Sequence, residues 1–338
     1  MKNHRANAPR RRIFGASFAL ASFALLAMLG LIGAVAAQSW PERPVKLLVP
    51  FAAGGNIDVT GRIVAARLSE AIGQQFVVEN RVGGGGIIAT EAVARAPADG
   101  YTLLWGSTNV IAIVPHIMKA PYDPQKDLAP VSVLGASPQV LIVNASIPAK
   151  NVKEFVAYVK AQPNKLAYGG GGGAGSASNL IMAQFLKRAG LTMTAVSYRG
   201  TAPAMNDLIA GHIPVMFGPM SEAFAQAKNP KVRLLAVSSG TRSPRLPDVP
   251  SIAESGFPGF DAQSWTGMLA PAGTPKPIIV KIAGEIDKAL KDPKFVELLR
   301  NNGIEPLGYG PEKFAAFIAA EIPKWGEAVT IAGVKIQK

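Results

Sequence analysis

The sequence predicts an α/β protein built as two lobes, and three observations carry that reading. From Val45 onward, short β-branched apolar runs alternate with stretches of helical period, the grammar of layered strands and helices with largely parallel sheets. The same grammar starts again after "APVSVLGASPQVLIVN" and ends at a Pro-rich passage, "RSPRLPDVPSIAESGFPGF". The chain has 338 residues, half of them hydrophobic, which suits about two domains of roughly 150 residues each.

Ahead of the lobes stands a segment of different composition. Lys2, Arg5, Arg10, Arg11 and Arg12 precede an uncharged Ala/Leu/Phe-rich stretch from Ile13 to Ala37, the layout of a secretory signal. Small residues at Ala34, Ala36 and Ala37 suit cleavage, so residues 1–37 are expected to be removed. "RRIF" has the twin arginine and Phe of a Tat signal, but Gly15 follows where a large apolar residue belongs, so Sec and Tat export both stay open. The competing reading is an uncleaved anchor, since about 20 apolar residues span a bilayer; the Ala-rich end favours processing.

In the first lobe "VKLLVP" reads as a strand. A helix follows from about Asp58 to Ile72, with Val64, Leu68, Ala71 and Ile72 on one face and Gly73 as its stop. "QFVVEN", a glycine loop at Gly83 to Gly86, a helix near Ile87 to Ala96 and the strand "YTLLWGS" complete a second unit. The second lobe reads as helix "VKEFVAYVKAQ", strand "LAYG", helix "SNLIMAQFLKRAG", strand "TAVSYR", helix "APAMNDLIAG", strand "PVMFG", a short helix and strand "VRLLAVSS". The remainder, "DAQSWTGMLAPAG" and three helical stretches, is expected to pack back on the first lobe. That gives boundaries of 38–138 plus 263–338 for the first lobe and 139–262 for the second.

Composition excludes several classes of function. No cysteine occurs, so disulfides, a lipoprotein anchor, a thiol nucleophile and thiolate metal sites are absent. Without the signal's five basic residues, 30 basic face 22 acidic, a net +8 in place of the formal +13. That excess steers weakly toward anions, and without basic runs it argues against nucleic acid. His116 and His212 stand isolated, and no H-E-x-x-H or G-x-S-x-G motif occurs, so no catalytic residue, metal site or cofactor is expected.

Small polar residues gather instead where predicted strands end. Gly170, Gly172 and Gly175 in "YGGGGGAGSASN" satisfy G-x-G-x-x-G, but the next strand ends "VSYRG" without the acid that would hold a ribose. A helix N-terminus still offers free N–H groups and a positive dipole end to an anion. "PFAAGGNID" repeats that design without a Walker lysine, leaving Asp58 either a helix-terminal acid or a ligand contact. "WGSTN" and "YRGTAP" make a third and a fourth loop, and Arg199 could pair bidentately with a carboxylate. Four such loops, two per lobe, suit a ligand in the crevice at strand C-terminal ends.

The segments "WPERPVKLLVPFAAGGNIDVTGR", "VENRVGGGGIIATEAVARAPADGYTLLWGS", "YDPQKDLAPVSVLG", "YRGTAPAMNDLIAGHIPVMF", "RLPDVPSIAESGFPGF" and "SWTGMLAPAGTP" resemble, in this order, the solute-binding receptors of tripartite tricarboxylate transporters, the Bug or TctC-like family. The resemblance implies a periplasmic, two-lobed, type II Venus-flytrap fold that holds a small organic anion in its cleft. It also implies where contacts fall: Ala53, Gly54, Gly55, Asn56 and Asp58, then Ser107, Thr108 and Asn109, then Gly173, Gly175, Ser176 and Ala177, then Arg199, Gly200 and Thr201. Asn179 stands where the family often has His, and Gly61 where Ala is usual. The expected role is a monomeric, non-enzymatic receptor that closes on its ligand and delivers it to a membrane permease. The rivals are a sensor that docks a signalling partner and an exported enzyme acting on carboxylic acids.

Overall fold

The computed structural model describes residues 40–171 and 175–334. The expected signal, residues 1–37, and Gly173 lie outside the described residues. Contacts divide the chain into two units, Met1–Glu42 and Arg43–Lys338. Of the first, residues 40–42 are described, with a cis bond between Trp40 and Pro41. Every element below belongs to the second.

In chain order the first elements are β1 (Val45–Val49), α1 (Asn56–Ile72), β2 (Phe76–Asn80), a 3₁₀ turn at Gly84–Gly86, α2 (Ile87–Ala94) and β3 (Thr102–Ser107). A π-helical segment, Asn109–Ile113, then runs into α3 (Val114–Ile117), and β4 (Leu128–Ser137) follows. Only Pro138 separates β4 from β5 (Gln139–Asn144). Next come α4 (Val152–Lys160), β6 (Ala167–Gly171), α5 (Ala177–Ala189), β7 (Thr194–Tyr198), α6 (Thr201–Ala210), β8 (Val215–Pro219), α7 (Met220–Gln226) and β9 (Val232–Val237). The chain finishes with β10 (Ser264–Pro271), α8 (Lys276–Ala289), α9 (Pro293–Asn301), β11 (Glu305–Tyr309) and α10 (Pro311–Ile331). In α1, Val64 and Leu68 are buried and Gly73 ends the helix at φ 79°, while Ala71 is exposed.

The strands form two sheets, one of six strands in the order β11-β4-β10-β3-β1-β2 and one of five in the order β7-β6-β8-β5-β9. The expectation of largely parallel sheets needs correction. β1 is parallel to β2 and β3, and β6 to β7 and β8. The remaining pairs, β3–β10, β4–β10, β4–β11, β5–β8 and β5–β9, are antiparallel. Parallel neighbours need a long crossover, usually a helix. β5 and β10 are instead the first strands after the two passages between the sheets, and each enters reversed against β8 or β3; β11 runs in the direction of β10.

Each sheet buries its own core, and one helix serves both. Phe314 and Ile318 of α10 pack with Leu48, Leu104 and Trp265 on the first sheet. Further along the same helix, Trp325, Ala328 and Val329 pack with Phe155, Phe185 and Phe217 on the second. Pro323 lies between the two halves. Buried Glu321 joins them: its Oε2 accepts from the indole N–H of Trp265 at 3.1 Å and from that of Trp325 at 2.7 Å, while Lys324 donates to Oε1 at 2.6 Å.

The glycine run has two parts. Gly169, Gly170 and Gly171 are strand residues of β6 without room for a side chain: the first lies under Ile213, the other two under helices. A Cβ on Gly170 would run into the Asn179 side chain of α5, and one on Gly171 would come within 2.7 Å of the Thr201 backbone. Close helix-on-sheet packing therefore accounts for this half of the run.

Candidate functional site

A cavity of about 430 Å³ draws its lining from elements attached to both sheets. From the first come Asn56, Ser107, Thr108, Asn109 and Thr266; from the second come Gly175, Ser176 and Ala177. Two long helices aim their N-termini at it. Asn56 is the first residue of α1, and Ser176 is the N-cap of α5, its hydroxyl accepting from the Asn179 N–H at 3.4 Å. Among the described residues, no Asp, Glu, Lys, Arg or His lines the cavity. What these elements offer an anion is therefore the N-terminal N–H groups and positive dipole ends of the two helices.

Seven of the fifteen sequence-derived site residues line this cavity: Asn56, Ser107, Thr108, Asn109, Gly175, Ser176 and Ala177. Asn109 donates from Nδ2 to the Gly85 carbonyl at 3.0 Å. Thr108 accepts from the Trp265 N–H at 2.7 Å, tying the end of β3 to β10. Gly173 lies outside the described residues.

The other seven do not line it. Ala53, Gly54 and Gly55 are exposed in the turn before α1. Asp58 is buried, with its oxygens occupied: Oδ2 accepts from the Gly54 N–H at 2.9 Å, Oδ1 from Asn80 Nδ2 at 2.8 Å, and both from Arg62 Nε at 3.0 Å. Asn80 also donates to the carbonyl of Phe51, a cavity residue, at 2.9 Å. Asp58 therefore fixes the loop rather than facing the cavity. Arg199 is exposed; Gly200 caps α6, and the Thr201 hydroxyl donates to Glu222 of α7. Burial pushes the Glu222 carboxyl up against the lowering effect of that bond.

Burial pushes the Asp58 pKa up as well, but the bonds from Arg62, Gly54 and Asn80 outweigh it and hold the pKa at about 2, below the ordinary 3.8. A depressed carboxylate stabilises the fold above its unfolded pKa, and that contribution is lost as pH falls from about 4 toward 2. Asp58→Ala is accordingly expected to cost about 2 kcal/mol at pH 7. Urea denaturation of both proteins should show the difference shrinking toward pH 2; a gap independent of pH would contradict this ion pair.

Several cavity residues escaped sequence reasoning. Gly85 belongs to the tetrad read as a plain loop, yet all four glycines have positive φ, from 57° to 142°, and Gly85 lines the cavity. Four successive glycines between a strand and a helix were the available signal. Ile113, Val114, Ile117 and Met118 come from the unforeseen π-helical segment and the helical turn after it. Their apolar run resembles any buried stretch. Thr266 enters only because β10 pairs with β3.

Two α/β lobes sharing a cavity lined by helix N-termini define a two-lobed binding protein of the type II periplasmic class. The chain belongs to the tripartite tricarboxylate transporter receptor family, whose model matches residues 60–334, and it is a solute-binding receptor of that family. It is 35% identical to protein BugT of Bordetella pertussis over 317 residues, covering 92% of this chain and 96% of BugT. Among solved structures, R. palustris Rpa4515 with adipate shares 36% identity at a TM-score of 0.74, over 87% of this chain and 98% of that one. MatC from Rhodopseudomonas palustris with bound malate shares 32% at 0.70, over 86% and 100%.

Proposed function

We propose that the protein is an exported, periplasmic receptor that captures a small organic carboxylate between its lobes and hands it to a tripartite tricarboxylate transporter permease. The convergence of the α1 and α5 N-termini, one from each lobe, on a cavity that no charged side chain of the described residues lines carries the reading. An anion there is held by N–H groups and hydroxyls, and a ligand touching both lobes favours the closed state by its differential affinity for it. Relatives with adipate and with malate support the ligand class. We further propose the lobe boundaries given above, a cleavable signal at residues 1–37, a monomeric state and no catalytic role. In favour of the last, His116 binds the Ile322 carbonyl of α10, and exposed His212 pairs with Asp207, so neither stands beside a cavity hydroxyl.

The test is a thermal-shift panel of mono-, di- and tricarboxylates and aromatic acids. A cognate acid at a hundredfold excess over Kd should stabilise the protein by about 2.7 kcal/mol. Silence across the panel would defeat the receptor reading. Chemical turnover of the bound acid would favour the enzyme, and uptake that survives deletion of the gene would favour the sensor.

A further inference from the structure

The floor and the wall of the cavity differ in kind. Phe51, Ile113, Ile117, Met118 and Trp265 make an apolar wall. At the floor, Ser107 and Thr266 stand directly opposite each other in the antiparallel β3–β10 pair, only 4% and 3% exposed. Both hydroxyls are buried without a hydrogen-bond partner among the described residues, whereas the neighbouring Thr108 hydroxyl is engaged by Trp265. Buried hydroxyls are nearly always paired, so two orphans side by side on a cavity floor point to a missing acceptor. Opposed residues of an antiparallel pair put their Cβ atoms about 5 Å apart. That spacing lets the two oxygens of one carboxylate each take a hydroxyl.

We propose that Ser107 and Thr266 together receive one carboxylate of the ligand, and that the wall selects an acid with an apolar body, an aromatic or straight-chain aliphatic carboxylate, over compact hydroxylated acids. This inference rests on the receptor reading above and deepens it. A hydroxy acid such as malate or citrate would turn hydroxyls or further carboxylates toward Phe51, Ile117 and Met118, whose apolar side chains do not replace the lost hydration. An apolar body loses nothing there and gains burial.

The test is calorimetric titration of the full mature chain, its Thr266→Val variant and its Ser107→Ala variant with hexanoate, adipate, benzoate, malate and citrate. At least one of the first three is expected to bind about tenfold or more tighter than malate and citrate, a difference of ~1.4 kcal/mol. Each substitution is expected to weaken that acid about tenfold while leaving the melting temperature of the unliganded protein unchanged or raised, because an unpartnered hydroxyl gives the free fold nothing. A purely structural hydroxyl would instead lower the melting temperature and spare the affinity. Tightest binding of malate or citrate, or wild-type affinity in both variants, overturns this proposal and leaves the receptor reading standing. Failure of every acid to bind overturns both.

Discussion

Glu321→Ala is expected to lower the unfolding free energy by about 4 kcal/mol, one of the largest effects of any single change outside the cavity. The carboxylate is 4% exposed and accepts from two indoles that are themselves almost wholly buried. Removing it strands both N–H groups where water cannot reach, at roughly 1–3 kcal/mol each, and breaks the pair with Lys324. Glu321→Gln keeps an oxygen for both indoles and should lose about half as much. Ligand affinity should fall with the Ala variant, because Trp265 is also a wall of the cavity and its backbone N–H holds Thr108. Urea denaturation and calorimetry of the two variants check this. Equal losses in both would mean that the indole bonds are not the source.

Gly86→Ala is the second large effect, expected to cost about 3 kcal/mol. The glycine has φ 101°, and a Cβ there would lie 2.3 Å from Val110 Cγ1 and 3.0 Å from Pro50 Cβ. The positive φ costs an L-residue about 1–2 kcal/mol, and forced overpacking adds about 1–3 more. Gly54→Ala separates the two terms: its φ is 84°, yet a Cβ would meet nothing within 4 Å, so about 1 kcal/mol is expected. Because Val110 and Gly85 belong to the segments that shape the cavity, Gly86→Ala should also weaken the ligand, whereas Gly54→Ala should not. Loss of stability in equal measure would assign the whole effect to φ.

Most helices and strands were legible because their signals are local. Val64 and Leu68 repeat at helical spacing before Gly73, and "VKLLVP" is an apolar run bounded by turn residues. The direction of the strands was not legible, since it depends on the passages between the lobes. β11 was missed because Pro306 and Gly308 are residues that usually mark loops. At the site, the loops at strand ends were readable as polar clusters before helices, and seven of their residues reach the cavity. Asp58 was ambiguous because an acid near a helix start suits either role, and only the positions of Asn80 and Arg62 decide between them. Thr266 stands 159 residues from Ser107 in sequence, and only the register of β3 on β10 brings the two hydroxyls together.

The double duty of α10 also bears on the order in which the molecule can be built. The first sheet lacks its interior strand β10 until residues 264–271 have been made, and the second core lacks Trp325, Ala328 and Val329 until α10 is complete. Domains commonly fold one after another as a chain emerges from the ribosome. Here neither core has all its parts until that one last helix has been made.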